Sequence, residues 1–209
     1  MRSLSKSKTL VALAVAAAAS GAQADLLQTN RAYVSGGLPF ERTVDVDGFD
    51  SVQSAGLKEV LNLTTGGSFL AYCLQAAIDV PTTSAQYSAS VYAASADVQE
   101  LYDRFYGSVT SGVTQAVAFQ LALWELVDGP AVSAVKMPLD AKAAATQMLD
   151  TVRASGTVSQ VYTLTAWRTD GYQDVLQASM VPEPETYALM LAGVGAVAFL
   201  SRRRWRNDE

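Results

Sequence analysis

The chain has 209 residues, with fifteen Lys or Arg against twenty Asp or Glu, a single cysteine and no histidine. The missing histidine excludes Ser-His-Asp and Cys-His catalysis and any zinc site built on imidazole, and one cysteine cannot form an internal disulfide. Between residues 25 and 180, eight Lys/Arg face sixteen Asp/Glu, a net charge of −8; that balance speaks against nucleic acid as a partner and favours solubility outside the cell.

At the N-terminus, Arg2, Lys6 and Lys8 precede the apolar run Leu10–Ala19 and the small-x-small triplet Ala22-Gln23-Ala24. This is the pattern of a secretory signal peptide, so residues 1–24 are expected to be removed after Ala24. The span 25–178 beyond it is the size of one domain with a real core.

Residues 25–95 are rich in Thr, Ser, Val, Tyr and Gly and broken by turns, which predicts strands at 30–36, 41–47, 57–64, 68–75 and 86–93. Gly36-Gly37, Asp47-Gly48 and Gly66-Gly67 mark the turns between them. Within this stretch DVDGFD (45–50) hints at a calcium loop, but Gly48 comes early and Gly56 stands where a bidentate Glu belongs, so a hairpin turn is the better reading. Asn62-Leu63-Thr64 matches a glycosylation sequon and reads as a coincidence within a strand.

Composition then changes. Val98, Leu101, Tyr102 and Phe105 recur at helical spacing, and Ser111–Val127 is apolar nearly all round, as a buried helix should be. A third helix opens at Pro138 and stops at Gly156. Residues 157–167 and 172–178 alternate again about the turn Thr169-Asp170-Gly171. The expected fold is therefore α+β: a largely antiparallel β sheet or barrel with an insert of about three helices. No spacing of Asp and Glu suggests a glycosidase pair, and no metal site is expected.

Two residues inside this domain stand out chemically. Cys73 lies mid-strand in AYCLQ (71–75), an unprotected thiol in an oxidising compartment unless it is buried or already consumed. Gln120 lies mid-helix in AFQLALWELV (118–127), where an amide on an apolar face is costly unless bonded. Read from the residues alone, they are a buried thiol and a hydrogen-bonded core glutamine.

The C-terminus closes with Val181-Pro182-Glu183-Pro184, the apolar run Tyr187–Leu200 and the cluster Arg202, Arg203, Arg204 and Arg206. Two prolines end the domain. Fourteen helical residues reach about 21 Å, short of a ~30 Å hydrocarbon core, so snorkelling arginines and local thinning would have to complete the span, with the arginines cytoplasmic. This is a handle for processing more than a permanent anchor.

Pro-Glu-Pro, one short apolar segment and terminal arginines in that order resemble the PEP-CTERM sorting signal of Gram-negative envelope proteins. The resemblance implies an exported protein with a sorting signal over 179–209, held at the inner membrane by its C-terminal hydrophobic helix until an exosortase cleaves near the motif. Inside the domain, aromatic-Cys-apolar-polar on a strand, followed by Gln-x-Ala-apolar-Trp on a helix, is similar to the thioester domains of bacterial surface adhesins. That resemblance maps onto Tyr72, Cys73, Gln120, Ala122 and Trp124 and implies a Cys73–Gln120 thioester that an amine on a surface or matrix target can open. Gln115 is a second candidate partner without the Trp spacing, and Gln75 stands where those domains more usually carry an acidic residue. The implied function is adhesion or extracellular-matrix attachment by a single-use linker that turns nothing over and needs no cofactor. The alternative is a non-reactive structural envelope or matrix protein with Cys73 and Gln120 in its core.

A chain lacking residues 181–209 should still be exported but be released or mis-sorted. Cell fractionation checks this, and surface retention equal to that of the full chain would remove the sorting argument.

Overall fold

The computed structural model describes residues 24–46, 52–129, 135–136, 139–155, 159–182 and 190–195. Residues 1–23 of the expected leader, Asp47-Gly48, Pro138, Gly156 and most of the expected tail lie outside the described residues. In chain order the strands are β1 (Asp25–Gln28), β2 (Val34–Ser35), β3 (Leu38–Pro39), β4 (Glu41–Val46), β5 (Gln53–Gly56), β6 (Lys58–Asn62), β7 (Gly67–Cys73) and β8 (Ala85–Val91). Then come α1 (Ala96–Phe105), a 3-10 helix (Tyr106–Ser111), α2 (Val113–Asp128), β9 (Val135–Lys136), α3 (Leu139–Ala154), β10 (Tyr162–Arg168) and β11 (Val175–Met180).

Six strands close a barrel in the order β1-β6-β7-β11-β10-β8, every pairing antiparallel. A second sheet, β5-β4-β9, and the hairpin β2-β3 stand beside it. The helices are inserted between β8 and β10, so the α+β architecture is the one expected.

Alternation assigns the two faces of the barrel wall. Phe69, Ala71 and Cys73 share one face of β7, and Phe69 stacks on Trp167 of β10 with ring centroids 5.2 Å apart. Leu70 and Tyr72 take the other face, where Tyr72 packs on Phe119 of α2 at 4.6 Å. Tyr102 and Tyr106 extend this aromatic layer between barrel and helices. All nine residues from Ala116 to Trp124 are buried, which explains why α2 is apolar on every side. By contrast α1 and α3 each bury one stripe, and α1 starts on Ser95, whose side chain accepts from the Val98 amide at 3.3 Å.

Three expected strands are redrawn. The span 30–36 becomes the hairpin β2-β3 about Gly36-Gly37, while β1 lies upstream at Asp25–Gln28. The span 57–64 starts at Lys58, preceded by β5 in the other sheet, and 157–167 starts at Tyr162. Gly56 causes the second change. Its φ is +150°, and an added Cβ would lie 2.2 Å from the Phe40 carbonyl oxygen. Only glycine lets the chain cross there from β5 into the barrel. Residues 190–195 are helical, and no helix among the described residues is long and apolar enough to cross a membrane.

Trp124 is fully buried. Its replacement by Ala should cost about 3–5 kcal/mol through the cavity left in the helical layer. Thermal denaturation checks this, and an unchanged transition would mean that the layer does not need the indole.

Candidate functional site

Main-chain polar groups of successive strand residues point to opposite sides. The Leu74 N–H donates to the Asp174 carbonyl at 2.9 Å, toward β11. The N–H and C=O of Cys73 therefore face the β6 side, where the β6–β7 ladder begins only at Lys58↔Ala71. Beyond that pair the chain has turned away at Gly56. A buried strand end cannot leave such groups without partners.

Gln120 fills the gap. Its Oε1 accepts from the Cys73 N–H at 3.0 Å, and its Nε2 donates to the Cys73 C=O at 2.8 Å. Both residues are fully buried. The carboxamide thus occupies the place of a peptide unit from a neighbouring strand, and its carbon lies against the residue that carries the only thiol. Of the two glutamines considered from sequence, the structure brings Gln120 to Cys73; Gln115 is half-buried near the start of α2. Tyr72, Ala122 and Trp124 are each fully buried.

A second grip on the same segment comes from α2, where Asp128 Oδ2 accepts from the Ala76 N–H at 2.9 Å. Eight helical residues span about 12 Å, close to the ~10 Å of three extended ones, so the strand end runs alongside the helix. From the other side, Gln75 and Asp174 exchange two bonds, Nε2 to Oδ2 at 3.0 Å and Asp174 N–H to Oε1 at 2.8 Å. Gln173 also donates its amide to the Gln75 carbonyl. Gln75 is thus held by the β10–β11 connection, through a partner 99 positions away that no local pattern reveals.

Also unforeseen is a charged cluster beside this strand. Lys58 is almost fully buried and forms an ion pair with Glu41, while Ser54 Oγ accepts from Lys58 Nζ at 3.0 Å and donates to Glu41 Oε2 at 2.6 Å. Burial works to raise the Glu41 carboxyl, but the hydrogen bonds from Lys58 and Ser54 and the Lys58 charge outweigh it and hold it below its ordinary value. Burial pushes the Cys73 thiol up to about 11, with the Lys58 charge pulling down and Glu41 pushing up more weakly. The thiol is therefore neutral at physiological pH. Tyr72 is raised well above its ordinary range by burial and the neighbouring tyrosines, and its hydroxyl has no hydrogen-bond partner among the described residues.

Of the sorting residues, Val181 and Pro182 follow directly on β11, and the Val181 N–H donates to the Val161 carbonyl at 2.9 Å. Glu183, Pro184, Arg202, Arg203 and Arg204 lie outside the described residues.

The family model for the PEP-CTERM protein-sorting motif matches residues 181–204. The chain therefore carries this signal, which implies processing by an exosortase, export and delivery to the cell envelope. No curated protein matches the sequence. Among solved structures, the N-terminal domain of the Streptococcus pyogenes pilus tip adhesin Cpa is similar, with a TM-score of 0.49 at 13% identity over 78% of this chain and 97% of that one. The N-terminal thioester domain of a Clostridium perfringens surface protein aligns with a TM-score of 0.44 at 12% identity, over 66% and 98%. At such identities these are likenesses of chain trace alone.

The raised thiol makes a prediction with a definite sign. A thiol whose folded pKa of about 11 exceeds its ordinary 9.0 stabilises the fold fully below pH 9.0, and that contribution is lost as pH rises toward 11. In a Gln120→Ala chain, where the thiol stays free, stability should fall over this window more steeply than in the Cys73→Ala/Gln120→Ala double variant. Urea midpoints across the window check this, and parallel curves would contradict it; the double variant serves as the control for the buried tyrosines.

Proposed function

We propose that this chain is an envelope surface protein whose domain attaches covalently to amine-bearing targets through a Cys73–Gln120 thioester. The observation that carries the reading is the two-point contact of the Gln120 carboxamide with the Cys73 main chain, at 3.0 and 2.8 Å in a fully buried site. In the bond-forming step, Sγ attacks Gln120 Cδ and the carbonyl electrons move onto Oε1. The Cys73 N–H, already 3.0 Å from that oxygen, stabilises the charge that develops there. Collapse of the adduct breaks the Cδ–Nε2 bond, and nitrogen leaves as ammonia with the proton that the thiol gives up. Holding the thiol beside the amide replaces a bimolecular collision with a high effective concentration, so the step requires neither histidine nor cofactor.

An amine then attacks Cδ, the C–S bond breaks, and the target is left on Gln120 as an amide while Cys73 returns as a thiol. The domain is consumed once and is a linker with no turnover. The sorting signal fits this use: the apolar tail holds the chain at the inner membrane until exosortase processing frees the domain for the surface or matrix.

One observation favours a second reading, a non-reactive structural envelope protein. The Gln120 amide is satisfied by hydrogen bonds as it stands, as a core glutamine should be. Reactivity separates the two. Native protein should resist thiol alkylation and gain a covalent methylamine adduct, and both Cys73→Ala and Gln120→Ala should abolish the adduct while the fold persists. Mass spectrometry after each treatment checks this. A thiol that alkylates only on unfolding, with no methylamine adduct at any time, would leave the structural reading standing.

A further inference from the structure

A bond sealed from solvent needs an opening through which the amine arrives. Beside the barrel lies a cavity of about 280 Å3, lined by Ser54, Lys58, Asp79, Val80, Thr82 and Gln173 among others. Two of its walls bracket Cys73. Lys58 is the register partner of Ala71, and alternation places Ala71 and Cys73 on the same face of β7. On the far side of Cys73, Gln173 bonds the Gln75 carbonyl, and the buried Tyr87 hydroxyl donates to the Gln173 carbonyl at 3.1 Å. The cavity therefore stands over the strand end and on the face from which the thiol projects.

The lining also has a chemical preference. The Lys58 charge is matched by Glu41, with Ser54 bonded to both. Among the described lining residues this leaves the carboxylate of Asp79, exposed at the mouth, as the charge available to an incoming ligand. Val80 supplies an apolar wall for methylene groups. A volume of about 280 Å3 falls just below the ~300–1,000 Å3 of sites for drug-sized ligands, which suits one extended chain.

We propose that this cavity is the route to the Cys73–Gln120 bond, and that Asp79 selects a chain ending in a primary ammonium, such as a lysine side chain or an alkyl diamine. This rests on the thioester reading above. The ammonium releases one proton to water as it leaves Asp79. The free amine forms the C–N bond at Gln120 Cδ as the C–S bond breaks, and a second proton passes from nitrogen to Sγ. The products are an N-alkyl amide and a neutral thiol.

The test compares adduct rates for cadaverine, a charged amine, and methoxyamine, which is uncharged at neutral pH. Thr82 and Val52 both line the cavity through exposed positions, so Thr82→Trp and Val52→Trp should each slow both nucleophiles by an order of magnitude without altering the thermal transition. Asp79→Asn should slow cadaverine about two- to fivefold, the range of an exposed ion pair, leave methoxyamine unchanged, and lose its effect in high salt. Undiminished rates in both tryptophan variants would overturn the route, and an equal effect of Asp79→Asn on both nucleophiles would overturn the selection. Absence of any adduct in the unmodified chain would refute the thioester. The cavity is then judged separately, by reversible cadaverine binding to the Cys73→Ala protein: binding that Thr82→Trp abolishes supports it, and no binding overturns it.

Discussion

The arrangement turns on an interrupted β-ladder. Where β6 begins at Lys58 and the preceding residues belong to another sheet, the buried main chain of Cys73 has no strand to pair with on that side, and a buried N–H and C=O left open would cost several kcal/mol together. The side chain of Gln120 closes the ladder from a helix. This one contact explains why an amide lies in the middle of an otherwise apolar α2, and the turn at Gly56, with φ +150°, is what opens the gap it fills. Asp128 and Asp174 then hold the next three residues of the chain, so the Cys73 main chain and the carboxamide meet in a wall fixed from two directions.

The same burial that fixes the pair governs its chemistry. A thiol pushed to about 11 is a poor spontaneous nucleophile, and a dry site keeps water from competing once an acyl group is in place. Slow, proximity-driven formation and protection afterwards are what a single-use linker requires. The sorting motif occupies 181–204 and begins directly after β11 ends.

Much of this was legible in the sequence, for reasons that differ by element. The helices were readable for different reasons, α1 by apolar residues at helical spacing, α2 by a run apolar on nearly every side and α3 by the Pro138 and Gly156 expected to bound it, and β4 and β7 because turn residues flank them. The strand β1 was hidden because its four residues, DLLQ, come directly after the expected leader and show no alternation of their own. The span 57–64 ran past Asn62 because the Asn62 side chain, which accepts from the Thr64 and Thr65 amides, ends the strand by a local turn. At the site, Cys73 and Gln120 were visible as two residues out of keeping with their surroundings. Lys58, Gln173 and Asp174 were not. Their roles depend on register and on contacts nearly a hundred positions apart, and a lysine or aspartate read locally is a surface residue.

The central claim is that Sγ of Cys73 and Cδ of Gln120 are bonded in the mature domain. Intact mass of the untreated, never-denatured protein tests it most directly. The thioester account predicts a molecule one ammonia lighter than its sequence, with the deficit absent from Cys73→Ala and Gln120→Ala proteins; a full sequence mass, together with one titratable thiol on unfolding, would contradict it.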